Sequence, residues 1–229
     1  MAVLLEFFGL PGSGKSTVIN AIARRPGVHS RHDIAMDWRR QSHLRRIGLT
    51  LSALRDVPLM LAALRLARGA RLTSRESYER LFRLVLTKHW WVAQPGLLLL
   101  DQGALQSIWS ILYASGRTHP RPSHIEAFLR VFFDGVAAQI VLLHVDEVIA
   151  AQRIVDRAHG RSRFDELPTT EIGSQLEGSI ALLRTIHDAG HAAGLNIHRM
   201  DGSSPVSLLA GQLLELLPQH GREPIGKVA

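Results

Sequence analysis

Short unbroken apolar runs alternate along most of this chain with longer stretches of helical spacing. Val3 to Phe8 is one such run, ending at a glycine, and it reads as a buried parallel strand. Leu97 to Leu100, introduced by Pro95-Gly96, is a second; Gln139 to Val145 is a third; Leu195 to Met200, opened by Gly194 and closed by Asp201-Gly202, is a fourth. Helical patterns cover Lys15 to Arg24 and roughly 103–115, 123–136, 147–158, 170–192 and 205–217. Strands alternating with helices predict βαβ crossovers: an α/β fold, a parallel sheet with helices on both faces.

Residues 30–94 break the alternation. Their pattern is mostly helical, interrupted at Pro58 and around Gly69, with one short strand expected near 28–34. The expected organisation is a single domain over 1–218, with a helical insertion over about 37–94 and a frayed tail over 219–229.

The charge is uneven. Net charge is +7, which favours anionic partners, yet between Arg24 and Lys88 fifteen basic residues stand against five acidic ones, so the rest of the chain is slightly acidic. There is no cysteine, which excludes disulfides and thiol nucleophiles, and no apolar run long enough to span a bilayer. No basic leader precedes the first apolar run, and the expectation is a cytoplasmic protein.

Gly9-Leu10-Pro11-Gly12-Ser13-Gly14-Lys15-Ser16-Thr17 matches G-x-x-x-x-G-K-[ST], between an apolar strand and a helix. A polyphosphate needs several backbone N–H groups converging on it, which demands conformations that glycine adopts without a Cβ penalty. The helix that follows turns its unpaired N–H groups and positive dipole end toward the anion. Lys15 adds a point charge for the terminal phosphates, and the Ser16 hydroxyl is a candidate Mg²⁺ ligand. Gly9, Pro11, Gly12, Ser13, Gly14, Lys15, Ser16 and Thr17 are therefore the expected contacts of a nucleoside triphosphate, with ATP and Mg²⁺ the expected ligands.

LLLLDQG places Asp101 at the C-terminal tip of the second strand, the edge of an open parallel sheet where ligands sit. Three roles stand open for it: holding Mg²⁺ through water, acting as base toward an acceptor hydroxyl, or capping the helix that starts near Ala104. Further along, Arg153, Arg157, Arg161 and Arg163 fall within eleven residues, the last two after Gly160 in a candidate lid over about 158–168. Phosphoryl transfer spreads negative charge over the moving group, and a closing loop of guanidinium groups suits it. A solvated basic helix end is the plain alternative.

The order of these motifs resembles the thymidylate-kinase-like branch of P-loop nucleoside and nucleotide kinases. The resemblance rests on GLPGSGKST, on the apolar strand ending in Asp101, and on VLLHVDEVIAAQRIVDRAHGRSRFDEL with its triplet Arg163-Phe164-Asp165, and it covers roughly 1–25 and 97–217. It implies a P-loop NTPase fold and phosphotransferase activity. It also implies that the loop Asp201, Gly202, Ser203 and Ser204 lies against the base of the nucleotide. Thymidylate kinases carry an Arg directly after the strand-end Asp to hold the acceptor phosphate, whereas here Gln102-Gly103 follow. The donor half is thus matched and the acceptor is not.

The arginine pairs at 39–40 and 45–46, with Arg55, Arg65, Arg68 and Arg71, admit three readings: a solvated basic helix face, an anionic acceptor pocket, or contact with an anionic membrane or lipid-linked substrate. No nucleic-acid module accompanies them. Asp37, after a candidate strand tip at 33–36, is either an acceptor-side base or a helix cap. Trp90-Trp91 reads as core packing or a stacking platform, and His187/His191 as surface residues. The reading that unites these features is an ATP-dependent kinase of a small-molecule acceptor, with a homodimer left open. A P-loop switch that hydrolyses nucleotide slowly is the alternative, although the N-K-x-D motif of small GTPases is missing.

Overall fold

The computed structural model describes residues 3–23, 28–30, 41–116, 120–156 and 169–216. Five strands, β1 (Val3–Phe8), β2 (Val28–Ser30), β3 (Leu97–Leu100), β4 (Ala137–His144) and β5 (Ile197–Asp201), form one sheet in the order β2-β3-β1-β4-β5. Every neighbouring pair is parallel, with Leu5 level with Leu99 on one side and Gln139 on the other. The helices among the described residues are α1 (Lys15–Ile22), α2 (His43–Arg55), α3 (Val57–Gly69), α4 (Arg75–Val92), α5 (Ala104–Ala114), α6 (Pro122–Phe132), α7 (Glu147–Val155), α8 (Thr169–Ala192) and α9 (Val206–Leu216).

Because side chains alternate across a strand, β1 feeds two separate cores. Leu5 and Phe7 join Leu99, Val141 and Leu143 beneath Val18, Ile19 and Ile22 of α1 and Leu209 and Leu213 of α9. Leu4 and Phe8 join Leu98, Leu100 and Ile140 in the larger core, which takes in residues of α3, α4, α5, α6, α7 and α8. The sheet is covered on both faces, as the alternation of elements predicts.

Between β2 and β3, where a helical insertion is expected, stand the three helices α2, α3 and α4, each with a readable start. Ser42 accepts from the Arg45 amide at 3.4 Å, Asp56 from Leu59 at 3.2 Å with Pro58 in the first turn, and Ser74 from Ser77 at 3.1 Å. The chain therefore breaks one residue before Val57, not at Pro58 itself, because proline is tolerated in the first turn of a helix. β2 takes in Val28–Ser30 of the stretch expected near 28–34, and the remainder of that stretch lies outside the described residues. β4 begins and ends earlier than Gln139–Val145, and β5 starts two residues after Leu195 and includes Asp201.

Trp90 and Trp91 are buried, and Trp91 meets Phe132 edge-on at 6.3 Å, so the pair packs the core and offers no stacking platform. His187 and His191 lie near each other on α8, ring centroids 4.6 Å apart, and among the described residues no three His, Asp or Glu side chains are grouped to hold a metal. Asp37, Arg157, Arg161, Arg163, the lid and the tail lie outside the described residues.

Candidate nucleotide-binding site

β1 delivers the chain to the phosphate loop at the C-terminal edge of the sheet, and α1 leaves from it. Gly12 has φ +81, and a Cβ there would stand 2.5 Å from the Ala150 carbonyl oxygen, so both backbone conformation and space require glycine. Gly9 and Gly14 also have positive φ. Gly14 begins α1 without any side-chain cap, which leaves the amides of the first turn pointing at the loop. Ser16 and Thr17 are exposed there, and Ser13 is buried beneath them. Lys15 lies back across its own loop, donating to Gly9 O at 2.8 Å, Leu10 O at 2.8 Å and Ser13 Oγ at 3.2 Å. An ammonium and a helix N-terminus thus stand together at the exposed end of one strand, a cradle for anions.

Two further segments that the sequence singled out converge on this loop. Arg153 of α7 donates from Nη1 to the Gly202 carbonyl at 2.9 Å and lies 3.7 Å from where a Gly14 Cβ would be. A Cβ at Gly202 would stand 2.7 Å from the Ser13 carbonyl oxygen, and Gly202 N donates to His144 O at 2.6 Å. Asp201 closes its own turn, accepting from Ser203 N at 2.9 Å and Ser203 Oγ at 2.6 Å. Those bonds, the hydroxyl foremost, hold its carboxyl below the usual carboxylate range. The phosphate loop, Arg153 and the turn Asp201, Gly202 and Ser203 therefore form one neighbourhood.

Asp101 follows β3, one residue past the level pair Glu6 and Leu100. It does not cap α5: the residue before that helix is Gly103, with no side-chain cap of its own. The capping role belongs to Glu6, a carboxylate buried in the middle of β1. Its Oε2 accepts from Ala104 N at 2.7 Å and its Oε1 from Gln106 N at 3.0 Å. Gly103 is the neighbour this needs, since a Cβ there would meet the Glu6 carboxyl at 2.3 Å. Burial raises the Glu6 pKa from 4.5 to about 7, against the opposing pull of the Gln106, Ala104 and Leu105 amides.

Gln106 extends the arrangement. Its Oε1 accepts from Gly9 N at 3.1 Å, so the start of the phosphate loop is tied to the first turn of α5, which is in turn tied back to β1 through Glu6. Neither Glu6 nor Gln106 is singled out by sequence reasoning. The available signal is a single acid inside an otherwise apolar buried strand, which has to find donors.

The chemistry of the donor set fits Mg²⁺. A hydroxyl at Ser16 and a carboxylate at the neighbouring strand end are hard oxygen donors, and this ion takes few protein ligands beside phosphate and water.

No protein-family model matches the chain, and no curated protein matches its sequence. Among solved structures, the deoxyadenosine kinase from M. mycoides with the products dCMP and a flexible dCDP bound is similar over 93% of this chain and 97% of that chain, at 13% identity and a TM-score of 0.50. The deoxyadenosine kinase from M. mycoides with bound dCTP is similar over 93% and 98%, at 13% identity and a TM-score of 0.47. At such identity the likeness concerns architecture. The chain has the α/β fold of the P-loop NTPases.

Proposed function

We propose that the chain is an ATP-dependent phosphotransferase, a small-molecule kinase of thymidylate-kinase-like organisation, acting on a hydroxyl-bearing or anionic acceptor. The observation that carries this reading is the convergence on one loop of Lys15, the uncapped start of α1, Arg153 and the Gly202 turn. The loop amides and the Lys15 ammonium hold the β- and γ-phosphates. Arg153 stabilises charge on the group in transfer, joined by Arg157, Arg161 and Arg163. Asp101 or Asp37 accepts the proton of the attacking hydroxyl. Ser16 and, through water, Asp101 hold Mg²⁺, which when bound supplies neutralisation of phosphate charge. The turn Asp201, Gly202 and Ser203 borders the nucleotide. The fold shared with a deoxyadenosine kinase agrees with this assignment and leaves the acceptor to experiment.

The test is ADP release across a panel of nucleosides, nucleotides, sugars and lipid-linked alcohols. Turnover that requires an acceptor and disappears in Lys15→Ala is expected. Hydrolysis independent of every acceptor would favour a nucleotide-controlled switch instead. Arg161→Gln and Arg163→Gln are expected to lower kcat more than they weaken ATP binding; unchanged kcat in both would remove the lid from the mechanism.

A further inference from the structure

Helices α2 and α3 present apolar residues to solvent in a pattern that the phosphate site does not use. On α2, Leu44, Ile47, Leu51 and Leu54 are 82%, 55%, 47% and 53% exposed. At 100° per residue they fall within one arc of about 80°, a single stripe. On α3, Val57, Leu61 and Leu64 are 56%, 46% and 39% exposed and make a second stripe, so that the spacing of three and four continues through the break at Asp56. Such a run of large exposed side chains is more than the scatter of single apolar residues found on any surface.

The opposite side of the pair is already occupied. Leu59, Ala63 and Leu66 of α3 are buried in the core, and α2 packs on α4. No single helix among the described residues is long and apolar enough to cross a membrane. The bent pair, with 69° between its helices, reaches that length and composition only together. With one side of α3 committed to the core, only the outer stripe is available to a partner.

Charge identifies the partner. Arg45, Arg55, Arg65, Arg68 and Arg71 are all exposed on or beside these helices. By the same rotation Arg55 and Arg68 close the two stripes at their C-terminal ends, where long side chains bury their stems and keep their guanidinium groups in the polar layer. The acid within the pair, Asp56, is engaged with the Leu59 amide at 3.2 Å and with His89 at 3.2 Å. A second copy brought face to face would set like charges against each other. Leucines alternating with arginines on an outer helix face suit the boundary between headgroups and acyl chains of an anionic bilayer. We propose that α2 and α3 form a docking face for an anionic phospholipid surface, independent of the phosphotransferase assignment.

The full-length protein is mixed with vesicles of phosphatidylcholine alone, or of phosphatidylcholine and phosphatidylglycerol in equal parts, and sedimented. Partitioning on the anionic vesicles is expected to be stronger by about tenfold or more and to fall steeply as salt is raised. Leu51→Gln with Leu54→Gln, and separately Leu44→Ser at the most exposed position, should each reduce it severalfold with circular dichroism unchanged. Arg55→Gln with Arg68→Gln should remove most of the preference for anionic lipid. Equal partitioning on both vesicles, or on neither, would overturn the assignment. So would a dimer in light scattering that the leucine variants dissociate without any effect on lipid binding.

Discussion

Lys15 and Glu6 flank the same passage from strand to loop and treat charge in opposite ways. Lys15 keeps its ammonium at the loop through two carbonyls and a hydroxyl, all acceptors within its own turn. Replacing it with alanine removes the charged donor while leaving the glycine conformations in place. Charge-assisted hydrogen bonds contribute about 1.5–3 kcal/mol, so Lys15→Ala should weaken ATP binding by roughly ten- to a hundredfold with an unchanged melting profile. Unaltered affinity would mean that the lysine does not face the phosphates. Glu6 is instead a carboxylate that burial pushes toward neutrality. Its pKa rises from 4.5 to about 7 on folding, so within that window the folded protein keeps a proton that the unfolded chain has released. Stability is then greatest below the lower value and declines as pH rises through the upper one, by at most about 3 kcal/mol from this group. Urea denaturation at the two ends of the window should show the decline in the wild type and a smaller slope in Glu6→Gln. An identical slope in both would show that other groups carry it. Gly103→Ala, which drives a methyl group into the Glu6 carboxyl, should cost about 1–3 kcal/mol at any pH.

At the scale of elements, Arg153 links α7 to the turn that follows β5 through the Gly202 carbonyl. Arg153→Ala should loosen that turn, seen as faster amide exchange at Ser203 and Ser204, whose amides bond to Asp201. Exchange rates equal to the wild type would mean that the turn is fixed by its own bonds alone. The sequence makes some of this architecture readable and hides the rest for physical reasons. β1 and β3 announce themselves because strands covered on both faces are apolar, with Glu6 the one charged residue in either, and the phosphate loop because its glycines have a fixed spacing. The starts of α2, α3 and α4 are visible in Ser42, Asp56-Pro58 and Ser74. β2 is poorly visible: three residues, Val-His-Ser, each half-buried at the edge of the sheet, carry almost no pattern. The tie between Glu6 and α5 is invisible in principle, because it joins residues 98 and 100 positions apart through backbone amides that have no sequence signature. For the same reason Asp101 looks like a helix cap until the true cap is seen.

Across the whole molecule, the parallel sheet sets the C-terminal ends of β1, β3, β4 and β5 along one edge. That edge gathers the phosphate loop, Asp101, and the turn after β5 from positions up to two hundred residues apart in sequence. Among the described residues basic charge also gathers on the helices between β2 and β3, where Arg45, Arg55, Arg65 and Arg68 are exposed. The central claim is that the edge holds a nucleoside triphosphate, and titration calorimetry of the folded protein with magnesium-complexed ATP and GTP addresses it directly. Saturable binding at one site per chain, with heat strongly reduced in Lys15→Ala, is the predicted result; folded protein that takes up neither nucleotide would contradict the account.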